Sequence, residues 1–181
     1  MIRRCLELLA RGRVLRRTMP SDFGNVQIYV SPDSQLKYLK RGRGAFNAGL
    51  LAIAKDYIRP SQNVWDIGAN VGVFTFAAAS LIGAGNGKVL AVEADIWLAW
   101  LINRSRAFNK ARGFDITVLP SAISDHAGVA TFRIAARGRA SNALSLAAGS
   151  SMMGGVRELQ TVPTLTLDLL LQPGLPHLIY L

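Results

Sequence analysis

The chain has 181 residues, half of them hydrophobic, and a formal net charge of +10. That is enough chain for one domain with a buried core, and too few uninterrupted apolar residues for a membrane span. A single cysteine, Cys5, excludes an internal disulfide and a cysteine zinc cluster, and suits a reducing cytoplasm.

The first 17 residues carry much of the positive charge. Ile2, Leu6 and Leu9 fall on one helical face with arginines around it, which predicts a basic N-terminal helix. Such a helix packs on the domain, or touches an anionic surface or nucleic acid. Residues 24–30 alternate as a strand, and residues 31–34 form a turn around Pro32. Lys37, Lys40, Arg41 and Arg43 make a second basic cluster. Residues 1–43 are accordingly assigned to a basic N-terminal extension, and 44–181 to the main domain. The main domain opens with a helix over 44–58, stopped by Pro60. This helix precedes the first core strand and is placed to cover the mouth of a site.

The most informative stretch follows, Asn63-Val-Trp-Asp-Ile-Gly-Ala-Asn-Val-Gly72. An apolar strand (63–67) meets an acid, then two glycines, then a helix over 71–82. Gly68 permits a sharp turn at the strand's carboxyl end. Gly72 removes a Cβ where the backbone must approach a ligand or the strand must approach the helix. The helix start offers unpaired N–H groups to a carboxylate. The spacing Asp66-x-Gly68-x-x-x-Gly72 differs from the G-x-G-x-x-G of dinucleotide folds and points to S-adenosylmethionine. Asp66 is the acid placed for that cofactor's ammonium group.

After a glycine-rich loop (83–87), residues 88–93 read as the next buried strand. Glu93 follows Gly72 by about 20 residues, the offset at which an acid takes ribose hydroxyls in nucleotide-binding α/β folds. Asp95 suits the N-cap of a helix over 96–110. A third strand over 115–119 completes a strand–helix–strand–helix–strand order, the pattern of a parallel α/β sheet. Ser121 and Ala122 lie just beyond that strand's carboxyl end. The Ser121 hydroxyl and the Ala122 N–H are candidates for the edge of an adenine ring. Asp125 and His126 sit nearby, but nothing beyond proximity recommends them as an acid–base pair. No catalytic residue and no metal site is assigned.

Residues 128–134 and 156–162 read as strands, plausibly antiparallel to each other, around a Gly/Ala/Ser-rich loop (137–151). Thr166 caps a short helix through Leu171. Residues 175–181 begin like a buried strand and stop without a turn or cap, which reads as a truncated chain.

These motifs together resemble an FkbM-type methyltransferase, a branch of the class I S-adenosylmethionine-dependent fold. The residues that carry the likeness are Asp66-Ile-Gly-Ala-Asn-Val-Gly72, Ala91-Val-Glu-Ala-Asp95, Ser121-Ala-Ile-Ser-Asp125 and Thr166-Leu-Asp168. The resemblance covers about residues 40 to 181. It implies a Rossmann-like, three-layer α/β/α sheet, incomplete here because the late strands are absent. It also implies that Asp66, Gly68, Asn70 and Gly72 line the amino-acid end of the cofactor, and that Glu93 holds the ribose. Ala94 stands where the family commonly has proline. The activity implied is O-methylation of a small or carbohydrate-like acceptor. Two alternatives remain open: a nucleic-acid methyltransferase, suggested by the charge, and an inactive cofactor-binding fragment with an open sheet edge at which another chain could pair.

Overall fold

The structure, a computed structural model, describes residues 2–85, 87–144 and 154–171. At its centre three parallel strands lie in the order β3 (Val64–Ile67), β4 (Lys88–Val92), β5 (Asp115–Leu119). Val64 pairs with Val89 and Val89 with Ile116, so the strands stop together at one end. The side chains of β3 and β4 are mostly buried on both faces, as their apolar runs require, whereas in the edge strand β5 only Ile116 is buried. This is the expected α/β, Rossmann-like class of fold.

Helices α3 (Val73–Ile82) and α4 (Ile96–Phe108) connect these strands. With α2 (Ala48–Tyr57) they cover one face of the sheet, in a cluster that holds Val64, Val89, Ala91 and Ile116. Phe76 and Leu101 are fully buried there, each adding roughly 1.5–3 kcal/mol of apolar burial. Trp65, Leu90 and Val92 point to the opposite face, where Leu170 of α5 (Leu167–Leu170) meets them. Thr166 caps α5, accepting from the Leu169 N–H at 3.1 Å.

Three helices are shorter than their sequence pattern, α4 ending at Phe108 rather than at 110 because a 3-10 turn, Lys110–Arg112, follows its cap Asn109. Residues 42–45 form a 3-10 turn, and α2 begins only after Asn47, whose side chain accepts from the N–H groups of Gly49 and Leu50. Helix α3 begins at Val73 rather than Val71, because Asn70 (φ 54°) and Gly72 (φ 82°) are left-handed.

The N-terminal basic stretch is only partly helical. Helix α1 spans Ile2–Leu9, and Gly12 (φ 66°) follows its end. Residues 15–17, expected to continue the basic helix, instead belong to β1 (Leu15–Thr18), antiparallel to β2 (Gln27–Val30). Pairing with β2 outweighs the weak helical pattern there. The hairpin docks on α4: the Tyr29 N–H donates to Ser105 Oγ at 2.8 Å, and Asn109 Nδ2 donates to the Gln27 carbonyl at 2.7 Å. Met19, Phe23, Ile28 and Val30 are buried in the same cluster as the central helices.

A second sheet has the order β6 (Ala122–Ile123), β9 (Val156–Leu165), β7 (Gly128–Ala135), β8 (Ala143–Leu144). Strands β7 and β9 are antiparallel, as their patterns suggest. The loop expected over 137–151 is ordered by contacts at its start, where Arg139–Ser141 form a 3-10 turn and β8 pairs with β7. The expected strand over 175–181, and with it the abrupt end, lies outside the described residues.

Candidate functional site

The carboxyl ends of β3 and β4 bring the predicted residues together. Gly68 and Ala69 donate their N–H groups to the Val92 carbonyl, at 2.8 and 3.0 Å, which folds the loop after β3 across the end of β4. Glu93 then closes the arrangement. Its Oε2 accepts from the Asn70 N–H at 2.6 Å, and its Oε1 from the Asp95 N–H at 2.8 Å. Asn70 holds its left-handed conformation through its own side chain. Its Oδ1 accepts from the Val71 N–H at 2.9 Å and from Ser34 Oγ at 2.5 Å. Non-glycine residues in this region cluster at functional loops.

Both acids of the site are buried. Burial pushes the Glu93 carboxyl up to about 7, against the downward pull of the two N–H groups it accepts. Asp66 is likewise pushed up to about 6 by burial, opposed by the Thr75 hydroxyl, which donates to its Oδ2 at 2.5 Å. Thr75→Val would leave that carboxylate without its side-chain donor. The expected cost is about 1–3 kcal/mol in urea unfolding at neutral pH. The cost should shrink near pH 5, where Asp66 is largely protonated.

Two cavities open at this end of the sheet. One, of about 320 Å³, is lined by Gly68, Asn70, Glu93, Ser121 and Ala122, with Arg139 and Asn142 on its other side. The second, of about 450 Å³, is lined by Asp66 together with Gly68 and Asn70, and by Lys37, Tyr38 and Asn47 from the N-terminal part. Ile67, Gly68, Asn70 and Ala140 border both. Gly72 lines neither. A Cβ on it would sit 3.2 Å from Ile102 Cγ1 and 3.3 Å from Phe76 Cε2, so its small size serves the approach of α3 to α4.

The Ser121 hydroxyl is the informative atom of the smaller cavity. Ser121 is 4% exposed, and its Oγ has no hydrogen-bond partner. A buried polar atom left unpaired costs about 1–3 kcal/mol, unless a ligand satisfies it. The cavity lining thus brings an acid able to accept from a diol together with Ser121 and Ala122. That donor set fits a nucleoside, and the second cavity, with Asp66, continues from it.

Several residues that build the site carried no sequence signal. Thr75 hides inside an apolar helix. Ser34, Arg139 and Asn142 lie in loops distant along the chain. Asp95 caps α4 as expected, accepting from the Trp97 N–H at 3.0 Å and the Leu98 N–H at 3.4 Å. It also receives Arg139 Nη1 and Asn142 Nδ2. His126 pairs with Asp125 at 2.6 Å, but both are exposed and line neither cavity.

No known family profile matches the chain, and no curated protein sequence matches it. Its fold is similar to parts of several solved methyltransferase structures. One is a putative rRNA-methylase from Clostridium thermocellum, with 19% identity and a TM-score of 0.35 over 40% of this chain and 39% of that one. Another is the M. jannaschii tRNA m1G37 methyltransferase, with 16% identity and a TM-score of 0.39 over 64% of this chain and 34% of that one. A third is coclaurine N-methyltransferase bound to N-methylheliamine and SAH, with 17% identity and a TM-score of 0.34 over 65% and 35%. The aligned part spans well under half the length of each of these proteins. Likenesses of this size concern the fold and say nothing of an acceptor.

Proposed function

We propose that the chain binds S-adenosylmethionine and belongs to a methyltransferase that acts on oxygen of a small or carbohydrate-like acceptor. The observation that carries the cofactor reading is the smaller cavity, whose lining brings Glu93 and Ser121, with its buried unpaired hydroxyl, together with Gly68 and Asn70. In this reading Glu93 accepts the ribose hydroxyls, and Ser121 with the Ala122 N–H meets the base edge. Gly68 and Asn70 line the passage to the second cavity, where Asp66 lies toward the amino-acid end. Gly72 lets the two helices close behind the loop.

The cofactor, when bound, supplies a methyl group on a sulfonium, which is displaced directly at carbon. The protein's share is alignment of the acceptor with that methyl group. The nature of the acceptor rests on the family resemblance. A nucleic-acid acceptor is the second reading, favoured by the net charge of +10.

Transfer of a labelled methyl group to a panel of sugars, small alcohols and RNA tests the proposal. Label on a hydroxyl compound supports it. Label on RNA alone, falling steeply with salt, supports the second reading. Cofactor binding without transfer to any acceptor would leave this chain a binding fragment and overturn the enzymatic part.

A further inference from the structure

Residues 136–142 join β7 to β8 and contribute to the lining of both cavities. Ala140 borders the two, while Arg139 and Asn142 line the smaller. This segment has little apolar surface with which to stay in place. Charge holds it instead. Arg139 Nη1 donates to both oxygens of Asp95, at 2.7 and 2.6 Å, and Asn142 Nδ2 donates to Asp95 Oδ2 at 2.8 Å. Asn142 Oδ1 accepts from the Ala135 N–H at 2.9 Å. On the other side, the Arg139 N–H donates to the Asp33 carbonyl at 2.9 Å and its Nε to Asp33 Oδ2 at 3.3 Å. Arg157 of β9 holds the same Asp33 carboxylate with two bonds, at 3.0 and 3.1 Å. The Arg139 guanidinium also lies 4.8 Å over the Trp97 ring. The Arg139 side chain is 10% exposed, and those of Asp95 and Asp33 are 0% and 4% exposed.

Stability alone is a poor explanation for such a cluster. The desolvation of buried ions offsets most of their attraction, so apolar residues of similar volume would hold the segment as well. The cluster's connections are more telling. Asp95 donates its N–H to Glu93, the acid of the smaller cavity. Asp33 adjoins Ser34, whose hydroxyl donates to Asn70 on the cavity floor. Arg139 thus sits where two paths of contacts meet, one through the hydrogen bonds of Asp95 to Glu93 and one through Asp33 and its chain neighbour Ser34 to Asn70. Each ends on a residue that would touch the nucleoside.

We infer that Arg139 is a positioning residue for the nucleoside. It pins segment 138–142 across the cavity and fixes Asp95, and through it Glu93, so that a bound nucleoside is released slowly. The inference rests on the cofactor reading above.

Release of S-adenosylhomocysteine from immobilised full chain, followed by surface plasmon resonance, tests it. Arg139→Ala should raise the release rate about tenfold while the association rate changes less than about threefold. Arg139→Lys keeps the charge but not the fork, and should recover part of the loss. A purely structural role would lower the melting temperature and leave release from the folded protein unchanged. Should Arg139→Ala not fold, Asn142→Ala decides, with release expected to quicken about threefold. Release within about twofold of the unaltered chain overturns this inference alone. Absence of binding by the unaltered chain overturns the cofactor reading, and this inference with it.

Discussion

Glu93→Ala is expected to weaken S-adenosylhomocysteine binding by about 100-fold or more. A hydrogen bond to a charged group is worth about 1.5–3 kcal/mol, and two ribose hydroxyls would lose theirs. At about 1.4 kcal/mol per factor of ten, that places the loss at two orders of magnitude or beyond. The substitution also frees the N–H groups of Asn70 and Asp95, so the loop loses its anchor. Calorimetric titration of both proteins measures the difference.

The same carboxyl predicts a pH dependence. In the folded chain burial holds Glu93 near 7, so the free site is about half protonated at neutral pH. On the proposed reading, ribose hydroxyls would donate to the ionised form and favour it. The bound state therefore holds fewer protons, and affinity should rise between about pH 6 and 8 and then level off. Glu93→Gln should flatten that rise. For folding, the sign is opposite. Asp66 and Glu93 both keep protons to a higher pH in the folded chain than when unfolded. Their contribution is fully favourable below about pH 4 and is lost progressively as pH rises toward 7.

Gly87→Ala should be the most damaging single methyl group. A Cβ there would lie 2.1 Å from the Gln62 carbonyl oxygen and 2.9 Å from Ile82 Cγ2. The first neighbour is backbone, which cannot swing aside. The contact sits where β4 joins β3, beside the Lys88 N–H bond to Asn63 Oδ1 at 3.0 Å. Overpacking commonly costs about 1–3 kcal/mol, and here about 3 kcal/mol or more is expected. Gly85→Ala is the control. Its Cβ meets open space, and only its positive φ opposes the change, at about 1–2 kcal/mol. Urea unfolding of the two variants should rank them in that order.

These cases mark where local pattern suffices. The central strands were legible because a strand buried on both faces is a nearly unbroken apolar run, as in residues 89–92 of β4; residues 115–119 also match β5 from end to end. Asp66 and Glu93 could be placed near each other because consecutive parallel strands end on the same side. Gly87 was not separable from its neighbours Gly83 and Gly85, since the demand on it comes from a backbone 25 residues away in chain position, at Gln62. Ser34 and Arg139 are equally silent. Their partners Asn70 and Asp95 lie 36 and 44 residues off, and no periodicity encodes such a pairing. The unpaired state of Ser121 is likewise a property of its surroundings, visible only in the folded chain.

On the proposed reading, the space between the Gly68–Asn70 loop, Glu93 and Ser121 holds the adenosine of S-adenosylmethionine. Calorimetric titration of the folded chain with S-adenosylhomocysteine tests it most directly. Saturable one-to-one binding that Glu93→Ala weakens by about 100-fold or more is the expected result. No binding by folded protein at millimolar ligand, or binding that Glu93→Ala leaves intact, would contradict it.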